Sequence, residues 1–107
     1  MAAHVCIQGD GFSYDYGSDG VSSFASGWVG LYNIVDRLGV DGTIFASGSL
    51  NPSSDGTKME LRIAPAVVEG LEVSTFILVV ELSNADLNFK REVMQDSFAV
   101  KEQGVFV

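Results

Sequence analysis

Alternation of apolar and polar side chains dominates this chain. In residues 57–63, Met59, Leu61 and Ile63 alternate with Lys58, Glu60 and Arg62, the spacing that sends successive side chains to opposite faces of a strand. One face is apolar and the other charged, which predicts a strand with one side in water. Residues 73–83 place Phe76, Leu78, Val80 and Leu82 on one face and Thr75, Ile77, Val79 and Glu81 on the other. Both faces are largely apolar, so a central strand covered on both sides is expected. Residues 11–16 gather Phe12, Tyr14 and Tyr16 opposite Ser13 and Asp15, and residues 27–36 set Trp28, Tyr32 and Ile34 against Val29, Leu31 and Val35. Their aromatic and β-branched content favours strand. Residues 43–50, 88–94 and 97–101 continue the pattern, and residues 5–8 form a short first strand.

The breaks between these runs carry turn chemistry. Asp-Gly recurs at Asp10-Gly11, Asp19-Gly20, Asp41-Gly42 and Asp55-Gly56, and the pair supplies the positive φ angles of tight turns. Asn51-Pro52-Ser53-Ser54-Asp55-Gly56 lies between two alternating runs and predicts a hairpin; Asn84-Ala85-Asp86 marks a second. Residues 64–71 have proline early and glycine late, which fits a single helical turn crossing between sheets. Many short strands with glycine-rich turns indicate a sandwich or small barrel. The crossover after Ile63 lets the chain change sheets, so the expectation is one domain over residues 1–107: an all-β, immunoglobulin-like antiparallel sandwich of seven to eight strands with one short helical crossover. Trp28 is then the expected core tryptophan of one sheet, without the flanking cysteine pair of antibody domains.

Composition narrows the function. The chain has 107 residues, 47% of them hydrophobic, enough for one core and too few for two. Six Lys plus Arg against fourteen Asp plus Glu give a net charge of −8, which repels phosphate backbones and anionic lipid surfaces. Neither nucleic acid nor membrane is an expected partner. The single cysteine leaves the fold to be held by packing. Met1 is followed by no cationic segment leading into an apolar stretch, so no secretory leader is expected. The longest apolar run, residues 76–80, falls far short of the roughly 20 residues a membrane helix needs.

The supply of catalytic groups is thin. His4 and Cys6 share a strand face and are the one nucleophile-and-base candidate, at a terminus where fraying is normal; a small buried thiol is the simpler reading. One Cys and one His do not make a zinc site. Asp10, Asp15 and Asp19 offer oxygens for calcium but lack the spacing and terminal glutamate of an EF-hand, and two of the three precede glycine as turn formers. Phe12, Tyr14, Tyr16, Phe24, Trp28 and Tyr32 are needed mostly to fill the core. Tyr14, Tyr16, Trp28 and Tyr32 are the candidate ligand surface, with sugar stacking or calcium-dependent binding as the alternative function. The apolar tail Val105, Phe106 and Val107, beyond the last charged residue Glu102, is a candidate interface. The expectation is a non-enzymatic domain without a cofactor.

The order of elements resembles small β-sandwich modules of tailed-phage virions, notably the N-terminal domain of baseplate upper proteins. An aromatic strand at residues 9–16 is followed by an Asp-Gly turn and a tryptophan strand at residues 27–36. Then come the hairpin at Ser54-Asp55-Gly56, the proline-started crossover, a long apolar strand paired with Phe89-Lys90-Arg91-Glu92-Val93, and the closing Phe98-Ala99-Val100-Lys101-Glu102-Gln103-Gly104-Val105. Residues 71–76 match that family's crossover, except that Ser74-Thr75 stands where a glycine is common. The resemblance implies a structural or adaptor part of a phage or prophage particle, working by contact with other virion subunits. It also implies a homo-oligomer, trimer or hexamer, and assembly into the virion in the host cytoplasm.

Overall fold

The computed structural model describes residues 2–17, 23–24 and 26–104. Seven strands are seen among them: β1 (Ala3–Ile7), β2 (Phe12–Tyr16), β3 (Trp28–Val35), β4 (Ile44–Pro52), β5 (Met59–Ile63), β6 (Thr75–Asn84) and β7 (Phe89–Lys101). They hydrogen-bond in the order β1-β7-β6-β3-β4-β5-β2. β4 belongs to both layers, because Ile44 to Leu50 pair with β3 while Asn51 and Pro52 pair with Glu60 and Met59 of β5. One layer is therefore β1-β7-β6-β3-β4, the other β4-β5-β2, and the core lies between them. The expected sandwich is present, with one departure from antiparallel pairing. β1 runs parallel to β7, Ala3 beside Ser97 through Ile7 beside Lys101, and Gln8 Nε2 ties its end to the Leu71 carbonyl at 2.8 Å.

The alternation seen in the sequence is the inside-outside alternation of the fold. Met59, Leu61 and Ile63 are buried while Arg62 is exposed. Phe76, Leu78, Val80 and Leu82 of β6 are likewise buried. Phe24, Phe98, Ile34, Met59, Leu61 and Leu78 are among the completely enclosed side chains, each stabilising the fold by about 1.5–3 kcal/mol relative to exposure. β6 is central, as expected, but it is covered on one side only. Ile77 and Val79 on its outer face are half-buried, with no second layer of described residues over them.

Two glycines set how closely these elements approach. Gly30 sits in β3 opposite Leu50, and a Cβ there would lie 2.9 Å from both Leu50 Cβ and Met59 Cε. Gly48 lies opposite Tyr32, whose ring occupies the space a Cβ would need, 2.7 Å from Cε1.

The turns follow their chemistry. At the β4–β5 hairpin one carboxylate oxygen of Asp55 accepts from Ser53 Oγ (2.7 Å), Thr57 N–H (3.0 Å) and Thr57 Oγ1 (2.7 Å), while Gly56 takes φ +73°. These bonds hold the Asp55 carboxyl down at about 2. Proline starts α1 (Pro65–Glu69), which buries only Val68 and carries the chain between layers. Asn84 caps a 3-10 turn at Ala85–Leu87, and Asn88 then adopts the left-handed conformation at φ +51° to enter β7. The two runs expected at residues 88–94 and 97–101 are one strand. Its pairing with β6 slips where Val80 faces Met94 but Glu81 faces Glu92, leaving Val93 as a bulge.

Candidate interaction surface

β1 brings His4 to an acidic partner. His4 Nε2 lies 2.8 Å from Asp96 Oδ2, and the Ala2 N–H donates to the other oxygen, Oδ1, at 3.1 Å. Asp96 is only 8% exposed, a position that a carboxylate occupies at acceptable cost when its oxygens have partners. The imidazole stands edge-on to Phe12 and Tyr14, with centroids 5.5 and 5.2 Å away. His4 thus fastens the N-terminal strand to β7. Cys6 points into the core two residues along, about 6.6 Å of strand rise from His4. Its thiol faces the Asp10 carbonyl at 3.6 Å, and burial, with the Asp10 charge second, pushes its pKa up. A raised thiol pKa is the opposite of what a nucleophile needs.

The four aromatics expected to form one ligand surface are divided by the fold. Tyr32 is 5% exposed and packs inward, and burial raises the pKa of its phenol. Trp28 is half-buried between Phe24 and Phe89, with centroids 5.3 Å from each. Tyr14 and Tyr16, both half-buried, line a shallow hollow with Ala2, Val93, Gln95 and Asp96. The platform of four is therefore corrected to a groove with two tyrosines. The inward parity that Trp28 and Tyr32 share is what takes Tyr32 out of it. Asp15 is bound by Arg62 at 2.7 Å, and Asp10 lies in the exposed turn after β1. Asp19 and the tail Val105, Phe106 and Val107 lie outside the described residues. Among the described residues no group of three or more His, Cys, Asp or Glu is placed to hold a metal.

The outer face of the five-stranded layer carries a different surface, which includes Val79, expected to be covered, and none of the four aromatic candidates. Strand pairing lays it out in rows: Gln95, Val79, Asn33 and Ser47, then Glu92, Glu81, Leu31 and Ser49. Val29 and Leu31 are 52% and 48% exposed. Leu31, Asn33, Val79, Glu81 and Glu92 enclose a hollow of about 130 Å³. Beside it a second hollow, of about 300 Å³, is bounded by Val35, Ile44 and the loop over residues 37–40.

Glu81 and Glu92 stand directly opposite each other, an unfavourable cross-strand arrangement. The chain contains a second like-charged pair, Asp15 opposite Glu60, and there Arg62 bridges both carboxylates at 2.7 and 3.3 Å. Among the described residues no Lys or Arg forms an ion pair with Glu81 or Glu92. The sequence signal for this face was the second apolar stripe, Val29, Leu31 and Val35, on a strand next to one with Ile77 and Val79.

Neither a family model nor a curated protein sequence matches the chain. Among solved structures, a marsupial T cell receptor is similar at a TM-score of 0.58 and 16% identity, covering 99% of this chain and 53% of that one. This chain therefore spans about half the length of that receptor chain. The extracellular domain of the voltage-gated sodium channel beta4 subunit, described as a parallel homodimer with a role in cell-cell adhesion, is similar at 0.50 and 12% identity, covering 96% and 92%. At these identities the likeness concerns the fold, and it agrees with the pairing order described above: the chain is an all-β, immunoglobulin-like sandwich.

Proposed function

We propose that this domain is a non-enzymatic protein-binding module that engages its partner through the outer face of the β1-β7-β6-β3-β4 layer. The observation that carries the reading is the facing Glu81–Glu92 pair beside exposed Val29 and Leu31. Among the described residues the pair has no ion-pair partner, and Glu92 accepts only from neutral Gln95. An apolar surface beside a pair of facing carboxylates fits a partner that presents apolar side chains and a Lys or Arg. Such a cation would do at this face what Arg62 does for Asp15 and Glu60. A like-charged second copy does not suit this face, because four carboxylates would meet.

The virion setting, with other virion subunits as partners and the chain in a trimer or hexamer, rests on the resemblance to baseplate modules and is part of the proposal. Affinity capture from the native source, with the wild-type domain beside a Leu31→Lys, Glu81→Lys variant, tests it. A protein retained by the wild type and lost with the variant is the expected result. Identical captured sets would refute the reading, and co-sedimentation of the chain with tail particles tests the setting.

A further inference from the structure

β4 ends the larger layer, and its first half is paired on one side only: Ile44 to Leu50 bond to β3, and none of the described residues pairs with the other edge. The direction of its backbone groups follows from the hairpin. Ser53 N–H donates to the Lys58 carbonyl at 2.9 Å, on the β5 side. Antiparallel alternation then turns the N–H and C=O of Ser49 and Ser47 to that same side, upstream of the point where β5 leaves.

Exposed edges recruit strands unless they are guarded by charge, proline, bulges or brevity. The other edges of this molecule are guarded. β2 carries Asp15, held beside Arg62. β1 is only five residues long. The stretch of β7 not covered by β1 has Lys90, Arg91 and Glu92 next to the Val93 bulge. β4 has no such guard over Ala46-Ser47-Gly48-Ser49-Leu50, and residues 42–54 contain no charged side chain in a chain of net charge −8.

From these observations we propose that the free edge of β4 pairs antiparallel with the same edge of a second copy, about a twofold axis at Gly48. The charge distribution selects this occupant. Two strongly acidic copies repel over most of their surfaces, and the long uncharged edge is where they can meet. The register is self-complementary. With Gly48 opposite Gly48, Ser47 falls opposite Ser49 and Ala46 opposite Leu50, all on the regular side of the register shift at Phe45 and with no like charges facing. The open N–H and C=O groups of Ser47 then bond to those of Ser49 in the second copy, and the reverse, and the two five-stranded layers become one continuous sheet. This inference extends the assembly reading to a second surface and a named partner; the two meet at Ser47 and Ser49 but stand apart because one uses side chains of the sheet face and the other the backbone of the β4 edge.

Sedimentation equilibrium of the chain over a wide concentration range, with hydrogen exchange of the Ser47 and Ser49 amides, tests it. A reversible dimer is expected, with those two amides protected at high concentration and exchanging freely on dilution. Ser47→Lys and Ser47→Glu each set like charges across the axis and should raise the dissociation constant about tenfold or more. An equimolar mixture of the two variants should recover dimers, which also shows that both fold. Leu31→Lys, on the sheet face, should leave dimerisation unchanged while removing capture of the cationic partner. A chain that stays monomeric throughout overturns the proposal, as does a dimer indifferent to both Ser47 charges or one whose Ser47 and Ser49 amides stay unprotected.

Discussion

Replacing Gly30 by alanine isolates the contact that brings the two layers together. The new Cβ would lie 2.9 Å from Leu50 Cβ, 2.9 Å from Met59 Cε and 3.1 Å from Leu82 Cδ2, where carbon atoms normally rest at about 3.5–4.0 Å. Leu50 Cβ cannot swing away, because it is fixed to the neighbouring strand at the residue paired with Gly30; Met59 Cε can move, but only within a completely buried site. Overpacking of this kind costs about 1–3 kcal/mol. The strand preference for alanine over glycine returns about 0.5–1 kcal/mol. Gly30 has no positive φ, so the net cost of about 1–2 kcal/mol is a matter of space and not of backbone strain. In a chain of this size that lowers Tm by roughly 5–10 °C. Urea unfolding of Gly30→Ala, Met59→Ala and the double variant measures it. The alanine should cost less in the Met59→Ala background, where one of the three obstructions is gone. A neutral or stabilising Gly30→Ala, or a cost unchanged by Met59→Ala, would refute the packing described.

Asp96→Ala should free β1, because it leaves the His4 imidazole and the Ala2 N–H without their partner; about 1–3 kcal/mol is expected, read as faster hydrogen exchange in residues 3–7 than in β6. Unchanged exchange there would mean that β1 is held by its ladder to β7 alone. Asp55 titrates at about 2 in the folded hairpin against an ordinary 3.8, so its stabilisation is full above about pH 4 and is lost as pH falls toward 2. The stability gap between wild type and Asp55→Asn should therefore narrow over that interval, and a constant gap would contradict the role given to its carboxylate.

Much of this fold was legible because its strands each bury one face. Met59, Leu61 and Ile63 announced β5 without any knowledge of their neighbours. β7 was harder to read: the Val93 bulge changes which side chains point inward, so one strand of thirteen residues looked like two. The parallel partnership of β1 with β7 joins residues more than ninety positions apart, and no local pattern encodes it. The candidate site was obscured by the same periodicity that revealed the strands. Alternation places Val29 and Leu31 on the face of β3 opposite Tyr32 and Ile34, but alone it does not say which of two apolar faces is left open. Tyr32 read as a ligand platform because it is aromatic, yet Gly48 makes room for its ring inside. The meaning of Glu81 and Glu92 depends on their cross-strand register, and that register appears only once β6 and β7 are paired.

The central claim is that the outer face of the larger layer is where a protein partner binds. Hydroxyl-radical footprinting of the domain, alone and in its native complex, tests it most directly. Protection concentrated on Val29, Leu31 and Val79, with Tyr14, Tyr16 and Met59 unchanged, is the predicted result. Protection confined to Tyr14 and Tyr16, or none on the β3 and β6 outer face, would contradict it.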